Sequence, residues 1–136
     1  MSADDLPKSV PKRILIVEDN ELNMKLLNDV LEAYGYDIVQ TGSGAAVLGL
    51  AREHRPDLVL MDIQLPDVSG LEAVRQLKGA PETRDIPVIA VTAFAMSGDE
   101  RKALDSGCDG YIAKPIMLRE FLATIEDFLS GNLPRR

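Results

Sequence analysis

The stretch LVLMDIQLPDVSG, residues 58–70, decides how the whole chain is read. Four apolar residues, Leu58 to Met61, stop abruptly at a carboxylate, Asp62. A continuous apolar run this short, followed by turn residues, reads as a strand buried on both faces. Ser69 stands three residues before Glu72, which marks the start of the next helix as a capping box. The capping role therefore falls to Ser69. Pro66 shapes the loop, Asp67 reads as a loop acid, and Asp62 is left at the mouth of the strand.

Two further runs share the pattern of residues 58–61, namely ILIV at 14–17 and VIAV at 88–91. Weaker strands are DIVQT at 37–41 and GYIA at 110–113. Between them lie amphipathic segments at about 20–34, 44–54, 70–79, 97–106 and 117–130, which read as helices. Both 69–72 (SGLE) and 97–100 (SGDE) carry the capping-box pattern. The result is a strand–helix unit repeated five times. Right-handed crossovers turn such a repeat into an open parallel α/β sheet with helices on both faces. Residues 1–12 read as a loose tail, 13–130 as one domain and 131–136 as a short second tail.

Bulk properties narrow the function. A chain of 136 residues suits one domain and can bury roughly two-thirds of its unfolded surface. The net charge of −7 and the lack of a basic run argue against a nucleic-acid surface. No apolar stretch approaches a membrane span, and MSADDLPKSVPKR lacks the apolar middle of a signal peptide. The single cysteine, Cys108, precludes an internal disulfide and suits a reducing cytosol, so the expected location is cytoplasmic. Cys108 reads as a small buried hydrophobe.

Ligands of open parallel sheets bind outside the carboxyl ends of the strands. There the sequence places Glu18 and Asp19, Asp62, Thr92, and Lys114 followed by Pro115. Three carboxylates gathered in one crevice repel one another, and a hard divalent cation resolves this. Mg²⁺ takes one or two carboxylates, waters and phosphate oxygens. Lys114 adds an ammonium and Thr92 a hydroxyl, completing a set able to stabilise phosphoryl transfer to Asp62. Taken singly, each residue has an ordinary role: Asp62 a turn or cap, Glu18–Asp19 helix-dipole partners, Thr92 a strand-end hydroxyl, Lys114 a surface lysine. Their joint placement at strand ends points to chemistry.

Four stretches, ILIVEDN (14–20), LVLMDIQLPDVSG (58–70), PVIAVTAFA (87–95) and GYIAKP (110–115), resemble the receiver domain of two-component response regulators. They occur in order, and the likeness covers about residues 12–130. VEDNELNMKLLNDVLEAYGY and AVTAFAMSGDE resemble more narrowly the DivK-type single-domain regulators of alphaproteobacterial cell division. The resemblance implies a flavodoxin-like (βα)5 sheet with strand order 2-1-3-4-5. It makes Asp62 the phosphoacceptor, catalysing its own phosphorylation and dephosphorylation rather than turning over a substrate. Mg²⁺ would be held by Asp19, by Glu18 directly or through water, by Asp62 and by the backbone carbonyl of Gln64. Thr92 would move to the phosphoryl group and Tyr111 would turn inward with it. Lys114 would pair with the phosphoryl group, and its bond to Pro115 would be cis. Glu18 stands where many receivers have Asp. Phe94 cannot orient a hydrolytic water, whereas Gln64 could.

The expected partners are sensor histidine kinases, also acting as phosphatases, or a phosphotransfer protein. A downstream protein would bind the face of helix 97–106, strand 110–113 and helix 117–130. No nucleic acid or membrane partner is expected, and the chain would be a monomer or weak homodimer. In helix 117–130, Met117, Leu118, Phe121, Leu122, Ile125, Phe128 and Leu129 form one apolar face, read as core. In helix 20–34 the apolar arc spans about 200°, more than one sheet face needs. Leu22, Asn23 and Leu26 would thus meet a kinase's helical dimerisation domain, or else pack on the last helix; Phe94 joins this partner set. Helix 97–106 has only Ala103 and Leu104 as apolar residues, with Gly98 in its first turn, so it is a weak element suited to switching. TGSGAAVLG (41–49) lacks the lysine of a phosphate loop and reads as a turn and helix start. His54 reads as a surface residue, and Met61 and Met96 as filler.

Two rival readings differ in class. A haloacid-dehalogenase-type phosphatase also uses a nucleophilic Asp but needs an acid two residues on, where Gln64 stands. A pure binding module, either a receiver that takes no phosphate or a flavodoxin-like cofactor binder, has no use for the full acid, hydroxyl and lysine set.

Overall fold

The computed structural model describes residues 11–63, 69–92 and 99–130, with the side chains of residues 92, 99 and 100 outside that set. Five strands alternate with helices: β1 (Arg13–Val17), α1 (Glu21–Ala33), β2 (Asp37–Thr41), α2 (Val47–His54) after a 3₁₀ turn at Gly44–Ala46, β3 (Leu58–Asp62), α3 (Gly70–Gly79), β4 (Val88–Thr92), α4 (Asp99–Ser106), β5 (Gly110–Ala113) and α5 (Leu118–Ser130). The strands form one sheet of order β2-β1-β3-β4-β5, parallel throughout. Fold class and strand order are as the sequence leads one to expect. Asp62 is the last residue of β3 and Thr92 the last of β4, each one residue further into its strand than the apolar pattern suggests.

Side chains alternate across a strand, so the continuous apolar runs divide between two cores. Ile14, Ile16, Leu58, Leu60 and Ile89 pack with Leu27 and Leu31 of α1 and Phe121 and Ile125 of α5. Leu15, Val17, Val59, Met61, Val88 and Ala90 pack on the other face with α2, α3 and α4. The tally of helices is therefore two on one face and three on the other. Among the described residues no helix is long and apolar enough to cross a membrane.

Helix ends follow local chemistry. Asn20 caps α1 by accepting the Asn23 amide on its side-chain oxygen at 2.9 Å. Ser69 caps α3 by accepting the Glu72 amide at 3.2 Å. Glu72 Oε1 also accepts from Arg75 Nη1 at 3.5 Å. The start of helix 97–106, including Ser97 and Gly98, lies outside the described residues. Ala103 is fully buried and Leu104 half-buried.

Two clamps tie the base of the sheet, opposite the strand ends that carry the acids. Arg13 pairs with Asp37 at 2.7 Å, donates to the His54 carbonyl at 2.7 Å, and sends its own amide to Asp57 at 2.8 Å. This joins β1 to the starts of β2 and β3 and the end of α2. Lys78 Nζ donates to the carbonyls of Arg84 and Ile86 and to Asp109 Oδ2 at 3.2, 2.9 and 2.9 Å. The same Asp109 oxygen accepts the Val88 amide, so α3, β4 and β5 share one knot. Gly107, in the left-handed region at φ +113, ends α4 against the Lys78 stem, where a Cβ would come within 2.9 Å of Cγ.

One sequence reading needs correction. Met117 and Leu118 are exposed rather than core, and only Phe121 and Ile125 of the α5 face are fully buried. Periodicity fixes the face of a helix but not how far its end overhangs the sheet. Met117 precedes α5 and Leu118 is its first residue. Cys108 is buried as expected, and Met61 lies in the core. His54 sits at the end of α2, partly exposed.

Candidate functional site

The site is built where β1 and β3 end side by side. Val17 pairs with Met61 in the parallel register, so the next residues, Glu18 and Asp62, emerge together. Glu18, Asp19 and Asp62 each offer a carboxylate oxygen within 4.8 Å of the others. Glu18 and Asp62 are buried, at 4% and 5% exposure, while Asp19 faces solvent. Lys114, delivered from the end of β5, places Nζ 3.4 Å from Glu18 Oε1 and 3.7 Å from Asp62 Oδ2. The Lys114–Pro115 peptide bond is cis. Four of the five residues singled out at strand ends therefore meet in one crevice.

Local backbone contacts hold this arrangement. The Glu18 amide donates to the Thr41 carbonyl at 3.0 Å, anchoring the acid pair to β2. Glu18 Oε2 accepts the Asn20 amide at 3.1 Å. The start of α3 lies directly over Asp62: Gly70 donates its amide to the Ile63 carbonyl at 3.2 Å. A Cβ on Gly70 would collide with the Asp62 carbonyl oxygen and the Ile63 α-carbon, so only glycine permits this approach. Gly70 and Asn20 are site residues to which sequence reasoning gave no role of their own.

The donor set suits a hard cation. All three candidate ligands are carboxylates, and they converge with one ammonium rather than with soft sulfur or imidazole groups. Asp19 is open to solvent, so a hard cation held there could also take waters. Thr92 ends β4 in register with Ala113, one residue before Lys114, which places both at the same strand edge. Its side chain, Gln64, Pro66, Asp67, Phe94 and Met96 lie outside the described residues. Tyr111 is half-buried against the core on the α2–α3–α4 side of the sheet.

A groove of about 390 Å³ runs from the site between α1 and α5, lined by Glu18, Asn23, Leu26, Lys114, Leu118 and Phe121 among others. Leu22 and Leu26 are 75% and 61% exposed. On the other flank of α1 an open polar pocket of about 510 Å³ is lined by Glu18, Asp19, Glu21, Asn28 and Gln40 among others.

Comparison with known proteins matches this geometry. The family model of the response regulator receiver domain matches residues 14–126. The polar-differentiation response regulator DivK of Brucella anthropi is 59% identical over 120 residues, spanning 88% of this chain and 98% of that protein. The receiver domain of sensor histidine kinase PA1611 from Pseudomonas aeruginosa PAO1, crystallised with a magnesium ion coordinated in its active-site cleft, superposes with a TM-score of 0.84. It is 31% identical and is matched over 89% of this chain and 99% of its own. A co-crystal of the Saccharomyces cerevisiae phosphotransfer protein Ypd1 with the receiver domain of its downstream response regulator Ssk1 matches at a TM-score of 0.82 and 29% identity, over 88% of this chain and 90% of that one. An acid pair, a lone aspartate and a lysine brought together at the ends of a 2-1-3-4-5 sheet are thus explained by descent: the chain belongs to the response regulator receiver domain family.

Proposed function

We propose that this response regulator accepts a phosphoryl group on Asp62 from a phosphohistidine donor and signals through phosphorylation-dependent protein binding. The observation that carries the reading is the buried Asp62 carboxylate, within 4.8 Å of two further carboxylates and 3.7 Å from the Lys114 ammonium. In the reaction an Asp62 oxygen attacks phosphorus, the phosphorus–nitrogen bond to the donor imidazole breaks, and an acyl phosphate forms. Mg²⁺, held by Asp19, Asp62 and Glu18 with the Gln64 carbonyl, would neutralise charge on the phosphoryl oxygens. Lys114 offers a second cation to the same oxygens, and Thr92 a hydroxyl. Thr92 and Tyr111 are the switch pair of this reading, with α4, β5 and α5 as the output face.

The donor docks on α1. Exposed Leu22 and Leu26, with Asn23, flank the groove that opens at Glu18 and Lys114, which supports a helical kinase or phosphotransfer domain as occupant. The co-crystal of Ypd1 with a similar receiver supports the same partner class. The DivK name of the curated relatives supports a role in bacterial cell-cycle or cell-division control, in the cytoplasm.

Incubation with Mg²⁺ and acetyl phosphate, followed by intact mass measurement, tests this. The parent chain should gain one phosphoryl group, and none when a chelator is present throughout the incubation. Asp62→Ala should gain none. An unmodified parent chain, or an equally modified Asp62→Ala variant, would remove the reading.

A further inference from the structure

We infer that Glu18 is a positioning residue that reports the state of Asp62 to the docking helix α1. The inference rests on the phosphoacceptor reading of Asp62 and goes beyond it. Both Glu18 carboxylate oxygens have protein partners: Oε2 takes the Asn20 amide at 3.1 Å and Oε1 takes Lys114 Nζ at 3.4 Å. Asn20 is the cap of α1, holding the Asn23 amide on its side chain and the Met24 amide on its carbonyl. One buried carboxylate therefore joins the lysine of the reaction site to the first turn of the helix that carries Leu22 and Leu26. The extra methylene of glutamate gives it the reach. It turns back to an amide two residues on and still meets an ammonium from β5.

Lys114 stands between two carboxylates, with Asp62 only 0.3 Å further than Glu18, at 3.7 Å against 3.4 Å. A phosphoryl group on Asp62 adds charge and acceptor oxygens on that side. Charge-assisted contacts to a phosphoryl group settle at about 2.7–2.9 Å and outcompete a 3.4 Å ion pair. Lys114 is then handed from Glu18 to the phosphoryl group. Among the described residues no buried side-chain polar atom lacks a hydrogen-bond partner. Glu18, buried, cannot keep an oxygen unpaired at low cost, so its carboxylate reorients within the crevice. That rotation weakens the hydrogen bond to the Asn20 amide and loosens the first turn of α1. The groove lined by Glu18, Lys114 and Leu26 changes with it. Transfer of the phosphoryl group thus lowers the fit of the surface that received the donor, and favours its release.

The test follows amide exchange at Asn20 to Leu26 by ¹⁵N NMR, in Mg²⁺ alone and in Mg²⁺ with beryllium fluoride as the phosphoryl mimic. Loading is monitored separately by ¹⁹F NMR. In the parent chain, Asn20 exchange should rise about tenfold on loading, the effect of weakening one hydrogen bond to a charged group. In Glu18→Gln, which keeps the acceptor but loses the ion pair, Lys114 has only the Asp62 carboxylate from the outset and the Asn20 response to loading should disappear. Glu18→Asp is too short to reach both partners and should also lose the response while keeping the charge. An Asn20 amide unchanged in a parent chain that the ¹⁹F signal shows to be loaded would overturn the handover. So would a full Asn20 response in both variants. Absence of any bound ¹⁹F signal in the parent would instead strike the phosphoacceptor reading, and the handover with it.

Discussion

Gly70 lies so close to Asp62 that the hydrogen in place of its side chain is a requirement of the site: a Cβ there would collide with the Asp62 carbonyl oxygen. The obstruction is backbone on both sides, Asp62 and Ile63, so no side-chain rotation relieves it. Gly70→Ala should force the start of α3 away from β3. We expect a loss of about 1–3 kcal/mol in urea unfolding, the usual cost of overpacking. Phosphorylation by acetyl phosphate should slow in the same variant even under conditions where it is fully folded. An unchanged rate and midpoint would mean the loop absorbs the methyl group.

Leu26 gives a cleaner separation of docking from chemistry. It is 61% exposed on α1, so Leu26→Asp should leave the unfolding midpoint within about 0.5 kcal/mol of the parent. Phosphoryl transfer from a phosphohistidine domain should drop at least about tenfold, as for a docking anchor. Transfer from acetyl phosphate should not change. Equal loss from both donors would assign Leu26 to the fold.

Lys78 should matter for stability and not for phosphorylation. Its ammonium serves Asp109 and two carbonyls far from the acids, and its stem packs on Gly107. Lys78→Met keeps the stem and removes the charge, leaving the partly buried Asp109 without its cation. About 2 kcal/mol should be lost in urea unfolding, with the phosphorylation rate of the folded protein unchanged.

Burial pushes the Cys108 thiol up to about 12, with Asp109 adding to the effect and Lys78 opposing it. At pH 8 the native protein should therefore alkylate slowly, and the urea-unfolded chain quickly. The sign for stability follows. The fold favours the neutral thiol, so this contribution is complete below the ordinary value of 9.0 and is lost as pH rises from there toward about 12. Rapid alkylation of the native chain would contradict the burial.

The strands and the placement of the acids were legible because both depend on short-range patterns. ILIV, LVLM and VIAV read as doubly buried strands, and whatever follows a parallel strand lies at the ligand edge. The exposure of Met117 and Leu118 was not legible, because helical periodicity carries no information on where the sheet ends beneath the helix. The double use of Glu18 was hidden for a different reason: one partner is two residues away and the other ninety-six. The clamps at Arg13 and Lys78 likewise join segments distant in sequence, and long side chains with exposed neighbours look like ordinary surface charges.

The pairing of Val17 with Met61 has a consequence for how such a site can vary. Glu18 and Asp62 leave adjacent parallel strands at the same level, so their separation derives from the strand spacing of about 4.8 Å. That spacing is a property of the peptide hydrogen bond and is the same in every sheet. Loops can lengthen, helices can tilt and surfaces can be rewritten for new partners without retuning the gap across which the cation must reach. The reactive geometry is inherited from the backbone, and mutation is free to act on recognition alone.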